Sequence, residues 1–435
     1  MNLLEAGSLR WTDNCLVVID EVHHCLKDHP YRRLIQLCRH SQLDVDRRPR
    51  LLGLTASPAG KDTPAATSLM LRQLLDNVAV ERLVTVDRHV DDLARYHCTA
   101  TLDVRHVTYS SSERLLSAEL RRYVVQCYLQ LSQLCDTASL RRLEALSTVS
   151  PDNVDELDME LIHCLTDVVD ALEPKDPSCK LVLSFLSSHL KVLCQALDTM
   201  DCLGLESAYN ELAILLKPDY VANFSRAEDA RLPCAGLKCL VSGYLEAENN
   251  WTAVRDDDVV ESVKKSATYM QLVNELVEWL DSRCEPGVAL VLVRRRSTAR
   301  VLSALLGTCQ SLVSRRISVV HVVGHGAGGD DAGMTVHQQQ CTLHDIRQGH
   351  YNVIVATSVA EEGVDLPDCD VVIQLDAPDC VRALVQVRGR ARRPGSRFIA
   401  FCHDAEQTAQ LNALLLHERH MIDAVSHLIQ SQQPA

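Results

Sequence analysis

The residues whose chemistry is easiest to interpret lie in the run Gln386-Val-Arg-Gly-Arg-Ala-Arg-Arg393. Four arginines fall within six positions there, and their charges repel one another unless an anion holds them together. A guanidinium is planar, permanently charged and able to bind a phosphoryl group bidentately. Arg390 and Arg392 are therefore candidates for stabilising charge on a transferring phosphoryl group, with Arg393 as a substitute. Gln386 and Gly389 are further candidates, although a solvated basic turn would explain the run if it stood alone.

A second candidate set follows an apolar run near the start of the chain. Cys15-Leu-Val-Val-Ile19 predicts a buried parallel strand, and two carboxylates directly follow it. Ligands bind at the carboxyl ends of strands in open α/β sheets. We expect Asp20 to hold Mg²⁺ through its water shell. Glu21, a second candidate magnesium ligand, would orient and deprotonate an attacking water, and His23 would hydrogen-bond across the cleft. A strand that merely ends in polar residues is the alternative for an isolated Asp-Glu pair.

Two further strand ends carry polar side chains. A short apolar strand ends at Thr55, whose hydroxyl, with that of Ser57, can bridge the loop after the first strand to another lobe. Far along the chain, Thr357, Gly363 and Asp365 surround a tight turn at the end of another strand. Glycine permits close backbone approach there, and the carboxylate can accept a ribose hydroxyl or anchor an arginine. We interpret these three as nucleotide- or RNA-binding candidates, together with Gly389 and Arg393.

Size and composition allow two or three domains with real cores, because the chain has 435 residues. Apolar residues make up 46% and charged residues 23%, which is ordinary for a globular protein. No apolar run approaches the roughly 18 residues of a membrane helix, so we expect a cytoplasmic protein, with the nucleus as an alternative. The net charge of −14 argues against a basic coat for nucleic acid, but it allows a clamp that grips a backbone in a cleft.

Cysteine usage argues against a metal framework. The 18 cysteines are scattered singly, and no Cys-x-x-Cys pair occurs. Without a secretory signal, buried free thiols are a better interpretation than disulfides. We therefore expect no structural metal and in particular no structural zinc.

Hydrophobic periodicity divides the chain into α/β and all-α parts. Strand–loop–helix alternation in residues 1–108 and again in residues 259–403 predicts parallel sheets flanked by helices. The strands expected in the second part are 288–293, 317–323, 353–356, 371–375 and 397–401.

The region between these parts is predicted to be helical. Ser110 and Glu113 have the spacing of a capping box at the start of residues 109–258. Leucines then recur at spacings of three and four, which predicts four amphipathic helices and a bundle inserted between two α/β lobes. Residues 404–435 predict a C-terminal helical arm.

The chain resembles superfamily 2 helicases of the clade that contains Dicer and the viral-RNA sensor helicases. The segments that match helicase motifs II, III, V and VI are Asp20-Glu-Val-His23, Thr55-Ala-Ser57, Ala356-Thr-Ser-Val-Ala-Glu-Glu-Gly-Val-Asp365 and Gln386-Val-Arg-Gly-Arg-Ala-Arg392. The resemblance spans essentially the whole chain. It implies two RecA-like lobes, the first incomplete, around a helical insertion. It also implies ATP and Mg²⁺ as cofactors, double-stranded RNA as the substrate and a double-stranded-RNA-binding protein as a possible partner, with no membrane involved.

Two departures from this pattern matter. Val22 replaces the cysteine of the usual Asp-Glu-Cys-His, which is a harmless apolar exchange. A phosphate-binding Gly-x-x-x-x-Gly-Lys-Ser/Thr loop does not occur, because Gly60-Lys61 is followed by Asp62 and comes after motif III. The resemblance places that loop before Met1, so we expect the chain to start inside the first lobe.

Three functions remain open from the sequence. The first is the helicase part of a Dicer-like, ATP-dependent double-stranded-RNA helicase or translocase in RNA silencing, which Gly53-Leu-Thr-Ala-Ser-Pro58 and Glu361-Glu362 favour. The second is a helicase remnant that binds RNA or a protein without catalysis, which the missing loop and the acidic charge favour. The third is a helicase of the viral-RNA sensor type.

Overall fold

The computed structural model shows an α/β architecture with an added helical part. It describes residues 16–26, 29–40, 48–58, 60–61, 63–80, 82–84, 100–135, 149, 161–162, 165, 168, 172–176, 179–212, 266–283, 287–325, 333–357, 364–376, 378 and 380–432. The strands are β1 Leu16–Ile19, β2 Arg50–Gly53, β3 Thr101–His106, β4 Ala289–Leu292, β5 Val319–Val322, β6 Val353–Ala356, β7 Val371–Gln374 and β8 Arg397–Cys402. A 3₁₀ helix covers Val22–Leu26, and the α-helices are α1 Pro30–Arg39, α2 Pro64–Val78, α3 Ser111–Leu134, α4 Lys180–Leu203, α5 Leu205–Leu212, α6 Ala267–Asp281, α7 Arg296–Thr308, α8 Gln310–Val313, α9 Val336–Arg347, α10 Val381–Arg388 and α11 Ala405–Gln432.

Six parallel strands form the larger sheet, in the order β3-β8-β7-β4-β6-β5. Strands β4, β6 and β7 are buried at every position, as continuous apolar runs in a parallel sheet require. Phe398 and Phe401 on β8 are among the largest fully buried side chains. The strands expected from the sequence between residues 288 and 401 are therefore present, with ends shifted by one or two residues.

Strand β3 departs from the predicted domain boundary. The prediction placed residues 1–108 in the first lobe, but β3 pairs with β8 from Thr101↔Arg397 to His106↔Cys402. An ion pair of 2.8 Å between Arg397 Nη2 and Asp103 Oδ2 supports this pairing. The physical reason is that Leu102 and Val104 alternate with polar residues and pack against the core of the larger sheet.

The smaller sheet contains β1 and β2, which pair in parallel from Leu16↔Arg50 to Ile19↔Gly53. One face packs on α1 and α2 through Ile19, Val22, Cys25, Ile35, Leu74 and Val78. On these two strands and the residue that follows β2, Leu16, Val18, Leu52 and Leu54 are between 45% and 52% exposed. Parallel sheets are normally covered on both faces, so the described residues cover only one side of this one.

The helical part has its own core. Helix α3 starts with the predicted capping box, in which Ser110 Oγ accepts from Glu113 N at 3.2 Å and Glu113 Oε2 accepts from Ser110 N at 2.7 Å. Its buried residues pack with those of α4 and α5 around fully buried side chains such as Leu120, Leu131 and Leu190. The fourth predicted helix carries Leu205, Leu212 and Leu216 on one face, and Leu216 lies outside the described residues.

The helical unit extends further than predicted. Contacts group Val107–Arg283 with Thr308–Ser314, whereas the predicted insertion ended at residue 258. Helix α6 belongs to this unit because Ser266, at its N-cap, donates to Cys202 O at 3.2 Å and the helix packs against α4. The other unit contains Met1–His106, Cys284–Gly307 and Arg315–Ala435.

Helix α11 joins the two sheets of the α/β unit. The predicted C-terminal arm is a helix of 28 residues. Ala424 and Val425 pack with Leu71 of α2, while residues earlier in α11 contact α10 and β8. The helix therefore links α2, beside the smaller sheet, to the larger one.

A buried histidine makes the stability of the helical unit depend on pH. His189 on α4 is fully buried, and burial lowers its pKa from 6.5 to about 4. Below pH 6.5 the unfolded chain binds a proton at this histidine and the folded chain does not. The free energy of unfolding therefore decreases as the pH falls towards 4. We expect this group to remove at most about 3 kcal/mol of the free energy of unfolding over that range, and His189→Leu to abolish that part of the loss.

Urea unfolding followed by circular dichroism across this pH range measures the effect. His344→Leu, at an exposed position of α9, is the matched control. Parallel pH profiles for wild type and His189→Leu would contradict the assignment.

Candidate active site

Polar side chains at the carboxyl ends of β1 and β2 form the first half of the site. Asp20 and Glu21 follow β1 directly, and Asp20 Oδ1 accepts a hydrogen bond of 3.0 Å from Glu21 N. Glu21 has a φ of 49°, in the left-handed region that a residue with a side chain rarely adopts. This backbone turn ends the strand and directs the chain into the 3₁₀ helix.

His23 connects the two strand ends. Its side chain is buried, and Nδ1 lies 2.9 Å from Thr55 Oγ1 and 3.2 Å from Glu21 Oε2. Thr55 Oγ1 also accepts from Ser57 N at 3.2 Å. The structure therefore brings together four of the predicted residues: Glu21, His23, Thr55 and Ser57.

A close backbone approach fixes the loop that carries these groups. Val22 N donates to Leu54 O at 2.9 Å, and Leu54 N donates to Ile19 O at 2.9 Å. A Cβ added to Gly53 would lie 2.9 Å from Val22 Cγ2, closer than real contacts allow. Glycine at position 53 thus lets the loop after β1 pack directly on β2.

The larger sheet contributes residues after β6. Thr357 is buried and its backbone N lies 3.4 Å from Val322 O, so it continues the edge of the sheet. Asp365 is exposed, and Arg347 Nη2 contacts both its carboxylate and its carbonyl oxygen at 3.2 Å. Gly363 lies outside the described residues.

Charged groups beside both sheets affect the pKa of Arg390. It follows α10 and is half-buried, and burial lowers the pKa of its guanidinium, as does the charge of Arg392. The carboxylates of Asp365 and Glu21 act in the opposite direction and stabilise its charge. Arg390 therefore lies within electrostatic range of one carboxylate from each half of the site.

The neighbouring arginines have different environments. Arg392 is exposed, with Nε donating to Gly389 O at 2.8 Å and Nη1 3.8 Å from Asp368 Oδ1. Arg393 Nη1 instead lies 3.2 Å from Oδ2 of the buried Asp370, which also accepts from Val288 N at 2.8 Å. Arg393 thus holds together the beginnings of β4 and β7, a role in the fold.

One contact of the motif, and the burial of one of its side chains, were not found from the sequence. Arg388 forms an ion pair with Glu418 of α11, which is buried. Gln386 is also buried, on the inner side of α10. The pairing of Arg388 with Glu418 joins residues 30 positions apart, and no local spacing rule indicates it.

The donor set at β1 fits a magnesium–nucleotide complex better than a protein-only metal site. Among the described residues, no cluster of three or more His, Cys, Asp or Glu side chains could hold a metal. Asp20 is exposed and offers hard oxygen donors. Magnesium retains several waters and takes one or two carboxylates with substrate phosphates, so these residues fit it only together with a bound nucleotide.

Comparisons with known proteins show which proteins this chain is similar to. Residues 269–395 match the helicase conserved C-terminal domain. Endoribonuclease Dicer homolog 1 of Arabidopsis thaliana is 27% identical over 430 residues, covering 92% of this chain and 22% of the relative. Protein Dicer of Schizosaccharomyces pombe is 27% identical over 427 residues, covering 96% of this chain and 26% of the relative. These matches support a helicase region of the Dicer type.

The chain spans about a quarter of the length of these curated relatives. The Hef helicase domain of Pyrococcus furiosus has the same fold, with a TM-score of 0.51 and 19% identity, covering 94% of this chain and 75% of that one. The predicted α/β fold with RecA-like lobes is thereby confirmed. Within the part of the chain that the structure describes, no helix has the length and apolar character to cross a membrane.

The contact between Gly53 and Val22 gives a direct test of the loop geometry. We expect Gly53→Ala to lower the free energy of unfolding by about 1–3 kcal/mol, because the new methyl group overlaps Val22. Adding Val22→Ala removes the opposing methyl groups and should recover part of the loss. Chemical unfolding of the single and double variants measures this coupling.

Gly307→Ala is the control, since a Cβ there meets nothing within 4 Å. Equal losses from Gly53→Ala in both backgrounds would show that the close approach does not constrain the loop.

Arg392 and Arg393 should differ in their effect on stability. Arg393→Gln leaves the buried Asp370 carboxylate without its guanidinium partner, and we expect a loss of about 1–3 kcal/mol. Arg392→Gln removes an exposed side chain and should change the free energy of unfolding by less than about 0.5 kcal/mol. Adding Asp370→Asn to Arg393→Gln should restore part of the stability, because it removes the buried negative charge. A larger loss from Arg392→Gln than from Arg393→Gln would reverse the two roles.

Proposed function

We propose that this chain is the helicase region of a Dicer-like, ATP-dependent double-stranded-RNA helicase or translocase that acts in RNA silencing. The observation that carries the proposal is the grouping of Glu21, His23, Thr55 and Ser57 at the ends of two adjacent parallel strands. The charges of Glu21 and Asp365 also act on the pKa of Arg390, which suits a guanidinium that takes part in the same site. The named relatives, all Dicer or Dicer-like proteins, support the process and the substrate class.

In this proposal each residue acts on ATP through its own atoms. Glu21 orients and deprotonates the attacking water, and His23 holds the Glu21 carboxylate through Nδ1. Thr55 fixes His23 from the neighbouring strand, which ties the water-activating group to the rest of the lobe. Magnesium, held through the water shell of Asp20, would neutralise charge on the phosphate oxygens.

The second lobe supplies the positive charge. Arg390 stabilises the charge that develops on the transferred phosphoryl group, and Arg392 is the exposed cation nearest to it in sequence. Thr357, Asp365 and Gly363 contact the nucleotide or RNA in this proposal, Gln386 and Gly389 position the arginines, and Arg393 acts mainly through Asp370. Double-stranded RNA is bound through its backbone and 2′-hydroxyl groups, and a double-stranded-RNA-binding protein is a possible partner.

A second candidate function is binding of RNA or of a protein partner without ATP hydrolysis. The absence of a Gly-x-x-x-x-Gly-Lys-Ser/Thr sequence from the 435 residues and the net charge of −14 favour it. The contact of Glu21 with His23 and the electrostatic link to Arg390 favour hydrolysis instead. A helicase of the viral-RNA sensor type would use the same residues.

Substitution of Glu21 distinguishes these candidates. We expect Glu21→Gln to lower RNA-stimulated ATP hydrolysis about 10²–10⁴-fold, because the amide cannot accept the proton of the attacking water. Binding of double-stranded RNA should remain, since Glu21 faces the nucleotide. Phosphate release and fluorescence anisotropy with labelled RNA measure the two properties.

Glu119→Gln, an exposed carboxylate on α3, is the matched control. Undiminished hydrolysis in Glu21→Gln would rule out the proposed role, and wild-type protein that binds RNA but hydrolyses no ATP would favour the non-catalytic candidate.

A further inference from the structure

A basic groove lies beside the smaller sheet, apart from the residues proposed for catalysis. Its volume is about 420 Å³, and its lining includes Arg32, Arg39 and His40 of the α1 region and Arg48 just before β2. Asp76 near the end of α2 is the one acidic residue of the lining. Three guanidinium groups thus face a single carboxylate in a chain whose net charge is −14. Random placement of charge on an acidic protein does not favour such a concentration.

Two of these arginines are not neutralised by the described residues. Neither Arg32 nor Arg39 forms an ion pair with a carboxylate in that part of the chain, and Asp76 pairs with neither. Arg32 Nε is buried and has no hydrogen-bond partner among the described residues. A buried donor without a partner costs free energy, so an anion that accepts from it would stabilise this arrangement.

The row of polar side chains along the groove is long enough to contact an extended ligand at several points. Arg32, Gln36 and Arg39 follow one another at helical spacing on one face of α1, and the first and last are about 10 Å apart along the helix axis. The amide groups of Gln36 and Asn77 add neutral polar contacts. Asn77 is itself held in place, because its Nδ2 donates to Cys25 O at 3.0 Å. A single small anion would contact only one end of this row.

The groove is also separated from the end of the sheet that carries Thr55 and Ser57. Arg48 precedes β2, and these two residues follow it, so the full length of the strand lies between them. At about 3.3 Å per residue the four residues of the strand span about 13 Å. A ligand in the groove would therefore not occupy the space in front of Asp20 and Glu21.

We propose that this groove is a second nucleic-acid contact, which binds the phosphate backbone of RNA through Arg32, Arg39, Arg48 and His40. The inference rests on the proposed function, because it assumes that the chain binds RNA. Guanidinium groups bind phosphate oxygens bidentately and carry no base specificity, so the groove adds affinity and not sequence preference. It holds a stretch of backbone on the first lobe while the site at the strand ends is free to bind nucleotide.

Neutralising substitutions test the groove in the full 435-residue chain. The test variant is Arg32→Gln with Arg39→Gln, and the matched control is Arg72→Gln with Arg82→Gln, which removes the same charge from exposed positions outside the lining. Fluorescence anisotropy with labelled double-stranded RNA is measured at several salt concentrations. We expect the dissociation constant of the test variant to rise about tenfold and the slope of log affinity against log salt to fall by about two relative to the control.

Two single substitutions at Arg39 keep the test valid if the double variant fails to fold. Arg39→Lys should retain most of the affinity, whereas Arg39→Gln should lower it and reduce the salt slope by about one. Identical RNA affinities and salt slopes for the groove and control variants would show that the groove does not bind RNA. The proposed function would then remain intact. Wild-type protein that does not bind RNA at all would overturn both.

Two other ligands serve as further arms of the experiment. Inorganic phosphate and poly-glutamate are titrated into wild type and test variant by calorimetry. If the substitutions abolish phosphate binding but leave RNA binding unchanged, the groove holds a small phosphate compound and not RNA. If they abolish only poly-glutamate binding, it holds an acidic protein segment. Either result overturns the proposal.

Discussion

Parallel strand direction is the constraint on which the candidate site depends. Every paired strand of both sheets runs the same way as its neighbour, so the residue that follows each strand emerges at the same edge of its sheet. Asp20, Thr55 and Thr357 owe their positions to this geometry. The chemistry is therefore concentrated in short loops, while the apolar strands behind them supply the rigid support.

Helices α10 and α11 connect the arginine segment to the rest of the α/β unit. Helix α10 carries Gln386 and leads into Arg390, and its last residue, Arg388, is paired with Glu418 of α11. Helix α11 in turn packs on α2, next to the smaller sheet. The arginine segment is thus connected through α11 and α2 to the smaller sheet, which carries Glu21.

Much of the fold followed from the sequence because apolar periodicity is a local property. The buried strands β4, β6 and β7, the capping box at Ser110 and the long helix α11 were all predicted. Strand β3 was not predicted, because its partner β8 is nearly 300 residues away, and only its alternation of apolar and polar residues indicated a strand. The extent of the helical unit was also underestimated, since α6 joins it through a contact with Cys202.

The part of the candidate site that lies at strand ends was predictable from the sequence. The grouping of Glu21, His23, Thr55 and Ser57 follows from two adjacent parallel strands. The separate environments of Arg392 and Arg393 did not follow, because no spacing rule links Asp370 to either of them. The basic groove likewise depends on three segments that only the fold brings together.

The central claim is that Glu21 and Arg390 act on the same phosphoryl group. A double-mutant cycle on RNA-stimulated ATP hydrolysis, with Glu21→Gln, Arg390→Ala and the combined variant, tests it most directly. The account predicts that the combined variant is no slower than the slower single variant, because residues that act as one unit are not additive. Losses that multiply, or a wild-type chain that hydrolyses no ATP, would contradict it.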